Sequence, residues 1–235
     1  RRVLFRSSIE EEGDDLLVDE YINGMRNNHT KIFRSKQTVE GTSIIISIDG
    51  SGSMRGTKID LCRDTIASLY KALGNMHSVS IRGLIWAGAR LNSKVAIREI
   101  KNLSDCKRIA TSGTYPLTPT PDGIRQTIHI VKQTKHKNKL VIILTDGTPC
   151  KSDDQGQEMN PEILLEQTKK EIEQLKRMPH TTVVVFLIGG FSSGFSSEHK
   201  KFFGNESAVL VNDMEDVRDF VNDKLTKIMK GQIKK

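Results

Sequence analysis

Residues 43–56 read SIIISIDGSGSMRG, and this stretch decides the fold class. The nearly continuous β-branched run SIIISI lacks polar alternation, which is typical of a strand covered on both faces. The polar segment that starts at Asp49 carries closely spaced glycines, which allow the backbone to bend sharply. Apolar residues then recur with helical spacing over 57–76, and the pattern ends near Gly74. We therefore predict a strand, a tight turn and a helix in succession.

Alternating strands and helices are predicted over the rest of the chain. The predicted strands are 79–88, 94–100, 139–147 and 181–190, and the predicted helices are 121–134, 161–178 and 216–230. The first two of these strands are separated by a short polar turn, so we expect them to pair antiparallel. Strands separated by helices form parallel sheets. The fold class that follows is α/β: a doubly wound, mostly parallel sheet with helices on both faces and one antiparallel edge strand.

The chain divides into three regions. Residues 1–7, RRVLFRS, resemble the translated end of a common DNA-sequencing adapter, and we interpret them as an assembly scar. Residues 8–41 form an N-terminal extension, which we interpret as part of a truncated acidic region. Helical spacing from Leu16 to Ile22 predicts a short helix within it. Residues 42–235 form the main domain.

The composition is that of an ordinary globular protein, with 36% of the 235 residues hydrophobic and 28% charged. No apolar run approaches the roughly 18 residues that span a bilayer, so we expect no membrane partner. The lysine-rich stretch 132–139 has no interleaved aromatic residues and is interpreted as a solvated face, which makes a nucleic-acid partner unexpected. The three cysteines, Cys62, Cys106 and Cys150, form no C-x-x-C pair. They favour a reducing compartment, and we expect the protein to be cytoplasmic.

Two predicted buried strands end in aspartate, at Asp49 and Asp146, and ligands bind beyond the carboxyl ends of the strands in such sheets. A phosphate-binding loop would set these two carboxylates against a pyrophosphate, which is unfavourable. The P-loop spacing also fails, because three residues and not four separate Gly52 from Gly56, and Lys58 comes one place late. A serine nucleophile lacks both the G-x-S-x-G elbow and a histidine after a later strand. We therefore expect no enzymatic activity.

A hard divalent cation fits this corner best. Magnesium prefers octahedral oxygen ligation and uses few carboxylates. The pattern D-x-S-x-S aims Asp49, Ser51 and Ser53 at one point, and Asp146 adds charge from the other strand. A further oxygen is expected from the loop 112–124, which offers Thr114, Thr118 and Thr120.

Three separated motifs carry a resemblance to a known family. DGSGS at 49–53, TPTPDGI at 118–124 and TDGTP at 145–149 resemble the metal-ion-dependent adhesion site of von Willebrand factor A (VWA) domains. The resemblance spans about residues 42–230 and implies a VWA domain over 42–235.

The resemblance implies a ligand set and a mode of binding. Ser51, Ser53 and Thr118 would ligate Mg²⁺ or Mn²⁺ directly, while Asp49 and Asp146 would act through water. Because TPTP is locally ambiguous, Thr120 is an alternative to Thr118. Hydroxyl ligands are neutral, so the cation keeps a net positive charge and seeks an Asp or Glu of a protein partner. The resemblance therefore implies a protein-interaction module without catalysis.

A narrower resemblance concerns the entry into the domain. The acidic run 11–25, the segment KIFRSK at 31–36 and DGSGSM at 49–54 are similar to the entry of the VWA domain in CobT-type cobaltochelatase subunits and nitric oxide reductase activation proteins. Those proteins work with MoxR-type or chelatase AAA+ ATPases, so the resemblance implies such an ATPase, or its client, as the partner. The alternatives are a subunit of a cobalt or magnesium chelatase and an extracellular VWA adhesin.

Overall fold

The computed structural model describes residues 39–89, 94–107, 116–147 and 149–188, with shorter pieces at 15–16, 33–34, 109, 203 and 208–211. The chain divides into two compact units, residues 1–39 and 40–235. In the first unit, strands β1 (Asp15–Leu16) and β2 (Phe33–Arg34) pair antiparallel. The helix predicted from Leu16 to Ile22 is wrong at its first residue, because the backbone of Leu16 pairs with Phe33. The rest of that segment and the interpreted scar lie outside the described residues.

The second unit is built on a six-stranded sheet with the strand order β5-β4-β3-β6-β7-β8. Its strands are β3 (Val39–Asp49), β4 (Val79–Gly88), β5 (Val95–Ile100), β6 (His136–Thr145), β7 (Thr181–Ile188) and β8 (Ala208–Val211). The pairs β3–β4, β6–β7 and β7–β8 are parallel, whereas the edge strand β5 runs antiparallel to β4. The predicted fold class, with one antiparallel edge strand, is confirmed.

The described helices are α1 (Thr57–Leu73), α2 (Leu103–Cys106), α3 (Thr120–Gln133) and α4 (Pro161–Arg177). Helix α4 starts at Pro161, as its sequence predicts. The Asn160 side chain accepts from the Glu162 backbone N–H at 2.8 Å, and Pro161 has no backbone N–H that would need a partner in the first turn. None of the described helices combines the length and the apolar character needed to cross a bilayer. The helix predicted at 216–230 lies outside the described residues.

Both faces of the sheet are covered, because alternate residues of a strand point to opposite sides. On one face, Ile44, Ile46 and Ile48 of β3 join a buried cluster that includes the apolar side of α1. On the other face, Ile45 joins a cluster with Trp86 of β4 and the apolar sides of α3 and α4. Burial on both faces explains why the SIIISI run lacks polar alternation.

Strand β6 begins at His136, before the predicted start at 139, and its first residues are polar and only half-buried. His136 Nδ1 lies 2.9 Å from Ser43 Oγ and 3.0 Å from Ser80 Oγ, at the amino ends of β3 and β4. Hydrogen bonds, and not apolar burial, stabilise the start of this strand. A hydropathy pattern therefore cannot predict that the strand begins at His136. The stretch 132–139, interpreted as a solvated face, is therefore divided between the end of α3 and the start of β6.

Trp86 fixes α3 against the sheet. Its buried indole Nε1 donates to Ser47 Oγ at 2.9 Å, and Ser47 Oγ is also hydrogen-bonded to Thr127 Oγ1 of α3 at 2.9 Å. A Cβ added at Gly123 would lie 2.4 Å from the Trp86 ring, so only glycine allows this approach. The start of α3, two residues after Thr118, is thereby held beside the end of β4.

Candidate metal centre

The loop between β3 and α1 is shaped by glycines. The Gly50 N–H donates to the Trp86 carbonyl oxygen at 2.7 Å, and a Cβ at Gly50 would lie 2.8 Å from the Ile85 side chain. A 3-10 turn covers Gly52–Met54, and Gly56 takes a φ of 78° just before α1 begins. This turn brings the side chains that follow β3 back across the end of the sheet.

Asp49 is completely buried at the end of β3, and both of its carboxylate oxygens accept hydrogen bonds. The Ser51 N–H donates to Oδ1 at 2.9 Å, and Thr145 Oγ1 of β6 donates to Oδ2 at 2.7 Å. Burial raises the pKa of Asp49 from its ordinary value of 3.8 to about 7; the hydrogen bonds from Thr145 and Ser51 lower it, and the charge of Asp146 raises it. A nearby positive charge would therefore favour the ionised form of this carboxylate.

A chain of hydrogen bonds joins the loop after β3 to the loop after β6. Ser51 Oγ lies 3.0 Å from Ser53 Oγ, and Ser53 Oγ donates to Asp146 Oδ1 at 2.8 Å. Because the Ser53 proton points to Asp146, its oxygen lone pairs remain able to accept. Ser51 is buried and Ser53 is exposed, so solvent reaches this group from the side of Ser53.

The two candidate threonines differ in their surroundings. A Cβ added at Gly147 would lie 3.8 Å from Thr118 Oγ1, which places that hydroxyl beside the loop of Asp146. Thr120 is completely buried, and its Oγ1 donates to the Thr118 carbonyl oxygen at 3.4 Å. That carbonyl also accepts from the Cys150 N–H at 2.8 Å. The third candidate, Thr114, lies outside the described residues.

Sequence reasoning missed the partner of Asp146. Lys58 Nζ donates to Asp146 Oδ2 and forms an ion pair with it. In the sequence, Lys58 stands out only as a lysine one place late for a P-loop. Its position in the first turn of α1, directly after the D-x-S-x-S turn, was the available signal.

The donor set suits a hard cation. Adjacent oxygen ligands of an octahedral Mg²⁺ ion are about 3.0 Å apart for metal–oxygen distances of about 2.1 Å. The 3.0 Å separation of Ser51 Oγ and Ser53 Oγ agrees with this value. Within the described ranges, no three His, Cys, Asp or Glu side chains are grouped closely enough to bind a metal. A cation at this edge would therefore depend on hydroxyl ligands, which suit Mg²⁺ or Mn²⁺ better than softer metals.

No protein-family model matches the chain, and no curated protein matches it. Several solved structures have a similar fold. The von Willebrand factor domain of the type V pili tip protein Mfa5 from Porphyromonas gingivalis has a TM-score of 0.61 at 9% identity, over 84% of this chain and 98% of that one. The pilus adhesin SpaC from Lactobacillus rhamnosus GG has a TM-score of 0.59 at 15% identity, over 84% of this chain and 32% of SpaC.

A third similar structure is the PilB minor pilin from Streptococcus sanguinis, with a TM-score of 0.57 at 14% identity over 86% of this chain and 64% of PilB. This chain thus spans about a third of the length of SpaC and just under two thirds of PilB. These similarities show a VWA-like fold. At such identities they show the fold alone.

Proposed function

We propose that this protein is a divalent-cation-dependent protein-interaction module. Ser51, Ser53 and Thr118 would hold Mg²⁺ or Mn²⁺ directly, with Asp49 and Asp146 acting through water. The observation that carries the proposal is the continuous hydrogen-bonded chain from Asp49 to Asp146 through the two serines, at the carboxyl end of the sheet. This is the edge at which α/β sheets bind ligands.

The bound ion would supply a positive charge at an exposed edge. Neutral hydroxyl ligands leave that charge largely uncompensated, so the ion attracts an anionic oxygen. Ser53 is the exposed member of the set, and it marks the side from which a partner's Asp or Glu would approach. The VWA-like neighbours, among them a pilus adhesin and a pilus tip protein, are consistent with an interaction module.

We further propose that the module has no catalytic activity of its own. Hydrolysis would need a positioned base or nucleophile beside the ion. Among the described hydrogen bonds, no histidine contacts Ser51 or Ser53. Burial, followed by the charges of Asp49 and Asp146, raises the pKa of Cys62 well above its ordinary value, so this buried thiol stays protonated.

The proposed partner is a MoxR-type or chelatase AAA+ ATPase, or its client, in the cytoplasm. The similarity of the domain entry to CobT-type subunits and nitric oxide reductase activation proteins supports this choice, and a chelatase subunit is a variant of it. The experiment is a pull-down of the AAA+ ATPase encoded nearest to the gene, in Mg²⁺ and in EDTA. Binding in Mg²⁺ that is lost in EDTA and in Ser53→Ala supports the proposal, and binding that ignores both changes contradicts it.

A second candidate is an extracellular adhesin. The observation that favours it is that three similar structures, SpaC, PilB and the Mfa5 domain, are pilus proteins. The complete gene separates the two candidates. A signal peptide and a surface anchor would favour the adhesin. An acidic extension of the same protein, encoded beside chelatase or ATPase genes, would favour the first candidate.

Metal binding itself is tested by calorimetric titration with Mg²⁺ and with Mn²⁺. Ser53→Ala and Thr118→Ala should each abolish saturable binding or weaken it at least about tenfold, because even the loss of a residue that only supports a metal ligand costs about 10- to 100-fold in affinity. Ser80→Ala, at the opposite end of β4, is the matched control and should bind as the wild type does. Loss in Thr120→Ala with retention in Thr118→Ala would move the assignment to Thr120.

A further inference from the structure

Lys58 brings a positive charge of the chain itself to the candidate metal centre. Its ammonium group pairs with Asp146 Oδ2, while the other oxygen of the same carboxylate accepts from Ser53. The side chain of Asp146 is only 2% exposed and that of Lys58 is 30% exposed. A buried carboxylate without a cation is unfavourable, so Lys58 supplies the charge that Asp146 requires.

The position of Lys58 in its helix is unusual for a cation. It is the second residue of α1, and the N-terminal end of a helix carries a partial positive charge. A lysine is disfavoured there and favoured in the last turn, where Lys71 lies. The pairing with Asp146 therefore compensates an unfavourable placement, which indicates that the contact is a specific part of the site.

The same carboxylate is required by the cation of the proposed function. We propose that Lys58 is a built-in competitor of the divalent cation and sets the affinity of the site; this inference rests on the proposed function. A metal ion must either displace the ammonium group toward solvent, which the partial exposure of Lys58 permits, or bind beside it against charge repulsion. Either course weakens binding, so the site would fill only at relatively high cation concentration.

The test is a calorimetric titration of the full chain with Mn²⁺. Lys58→Met removes the charge and keeps an unbranched side chain, and we expect it to bind Mn²⁺ about five- to tenfold more tightly, as for a partly screened charge. Because arginine is always charged, Lys58→Arg keeps the competing positive charge and should bind Mn²⁺ less tightly than Lys58→Met does. Lys71→Met is the matched control on the same helix and should leave the affinity unchanged.

Four outcomes are informative. Tighter Mn²⁺ binding by Lys58→Met, with Lys71→Met unchanged, supports the proposal. Measurable binding by Lys58→Met, when the wild type binds too weakly to measure, supports it as well. Equal or weaker binding by Lys58→Met, with a wild type that binds, overturns the competitor role and leaves the proposed function standing. Absence of binding in both overturns both.

The fold of each variant must be verified in the same samples. Trp86 fluorescence provides this control, because the indole is completely buried in the native sheet. If Lys58→Met is unfolded, Lys58→Gln, which keeps a hydrogen-bond donor for Asp146, replaces it with the same expected gain in affinity.

Discussion

Asp49 and Trp86 lie opposite each other in the parallel register of β3 and β4. The Gly50 N–H donates to the Trp86 carbonyl oxygen at 2.7 Å, so the pairing of the strands continues past the carboxylate. Trp86 also packs against Gly123 at the start of α3. The chain has one tryptophan. Its fluorescence therefore reports on folding where the loop after β3 and the start of α3 meet the end of β4.

The first prediction concerns the approach of α3 to this tryptophan. Gly123→Ala would place a Cβ 2.4 Å from the Trp86 ring, which is sterically impossible without movement of α3. We expect a loss of about 1–3 kcal/mol in the free energy of unfolding, as in overpacked cores. Urea unfolding followed by Trp86 fluorescence measures it. Gly147→Ala is the control, because its Cβ would meet Thr118 at an ordinary 3.8 Å, and an equal loss there would contradict the packing argument.

The second prediction concerns the hydroxyl that holds the indole. Ser47 Oγ bonds both Trp86 Nε1 and Thr127 Oγ1, and the group is buried. Ser47→Ala leaves both partners without this contact, so we expect a destabilisation of about 1–3 kcal/mol. Urea unfolding again provides the measurement. The exposed Ser104→Ala should change stability by less than about 0.5 kcal/mol, and a similarly small effect of Ser47→Ala would refute the prediction.

The central part of the fold could be predicted because its physical causes are local. A run such as SIIISI marks a strand buried on both faces, and the aspartates that end two such runs mark the carboxyl edge of the sheet. That reasoning led to Asp49, Asp146 and the two serines, which the structure joins in one hydrogen-bonded chain. Whether this chain binds a cation stays a prediction.

Features that depend on long-range pairing could not be predicted in this way. Lys58 and Asp146 are 88 residues apart, and a flexible lysine side chain gives no periodic signal of its partner. The polar start of β6 is held by His136 contacts to serines on other strands. At Leu16 helical spacing was outweighed by strand pairing with Phe33. In each of these cases the tertiary contact decides the outcome.

The third prediction follows from the raised pKa of Asp49, about 7 in the folded protein against 3.8 ordinarily. The folded state holds this proton more tightly than the unfolded state does. The stabilisation from Asp49 is therefore complete below about pH 3.8 and is lost as the pH rises through about 7. Without divalent cations, the wild type should lose up to roughly 4 kcal/mol across this window from Asp49 alone.

Asp49→Asn isolates that contribution, because the amide cannot ionise. The difference in the free energy of unfolding between Asp49→Asn and the wild type should grow in favour of the variant from pH 4 to pH 8. Chemical unfolding in EDTA at several pH values measures this difference. A difference that is constant with pH would show that Asp49 titrates alike in the folded and unfolded chains.

The fourth prediction joins stability to cation binding. A ligand that binds only the folded state at one hundred times its dissociation constant raises the free energy of unfolding by about 2.7 kcal/mol. We expect Mn²⁺ at one hundred times its dissociation constant to stabilise the wild type by this amount at pH 8. At the same Mn²⁺ concentration the stabilisation should be smaller at pH 6, because a cation favours the ionised form of the buried Asp49. Urea unfolding with Mn²⁺ and with EDTA measures both effects.

Ser53→Ala separates the cation from the fold in that experiment. The variant loses one hydrogen bond to the buried Asp146 carboxylate, so its stability in EDTA should fall by about 1–3 kcal/mol while the fold is kept. Measured against the stability of the same variant in EDTA, the stabilisation by Mn²⁺ should fall by at least about half, because the variant lacks a ligand oxygen and the donor to Asp146 Oδ1. If Ser53→Ala retains the full stabilisation, any cation that binds the folded chain does so elsewhere, since no other hydroxyl links Ser51 to Asp146 among the described hydrogen bonds.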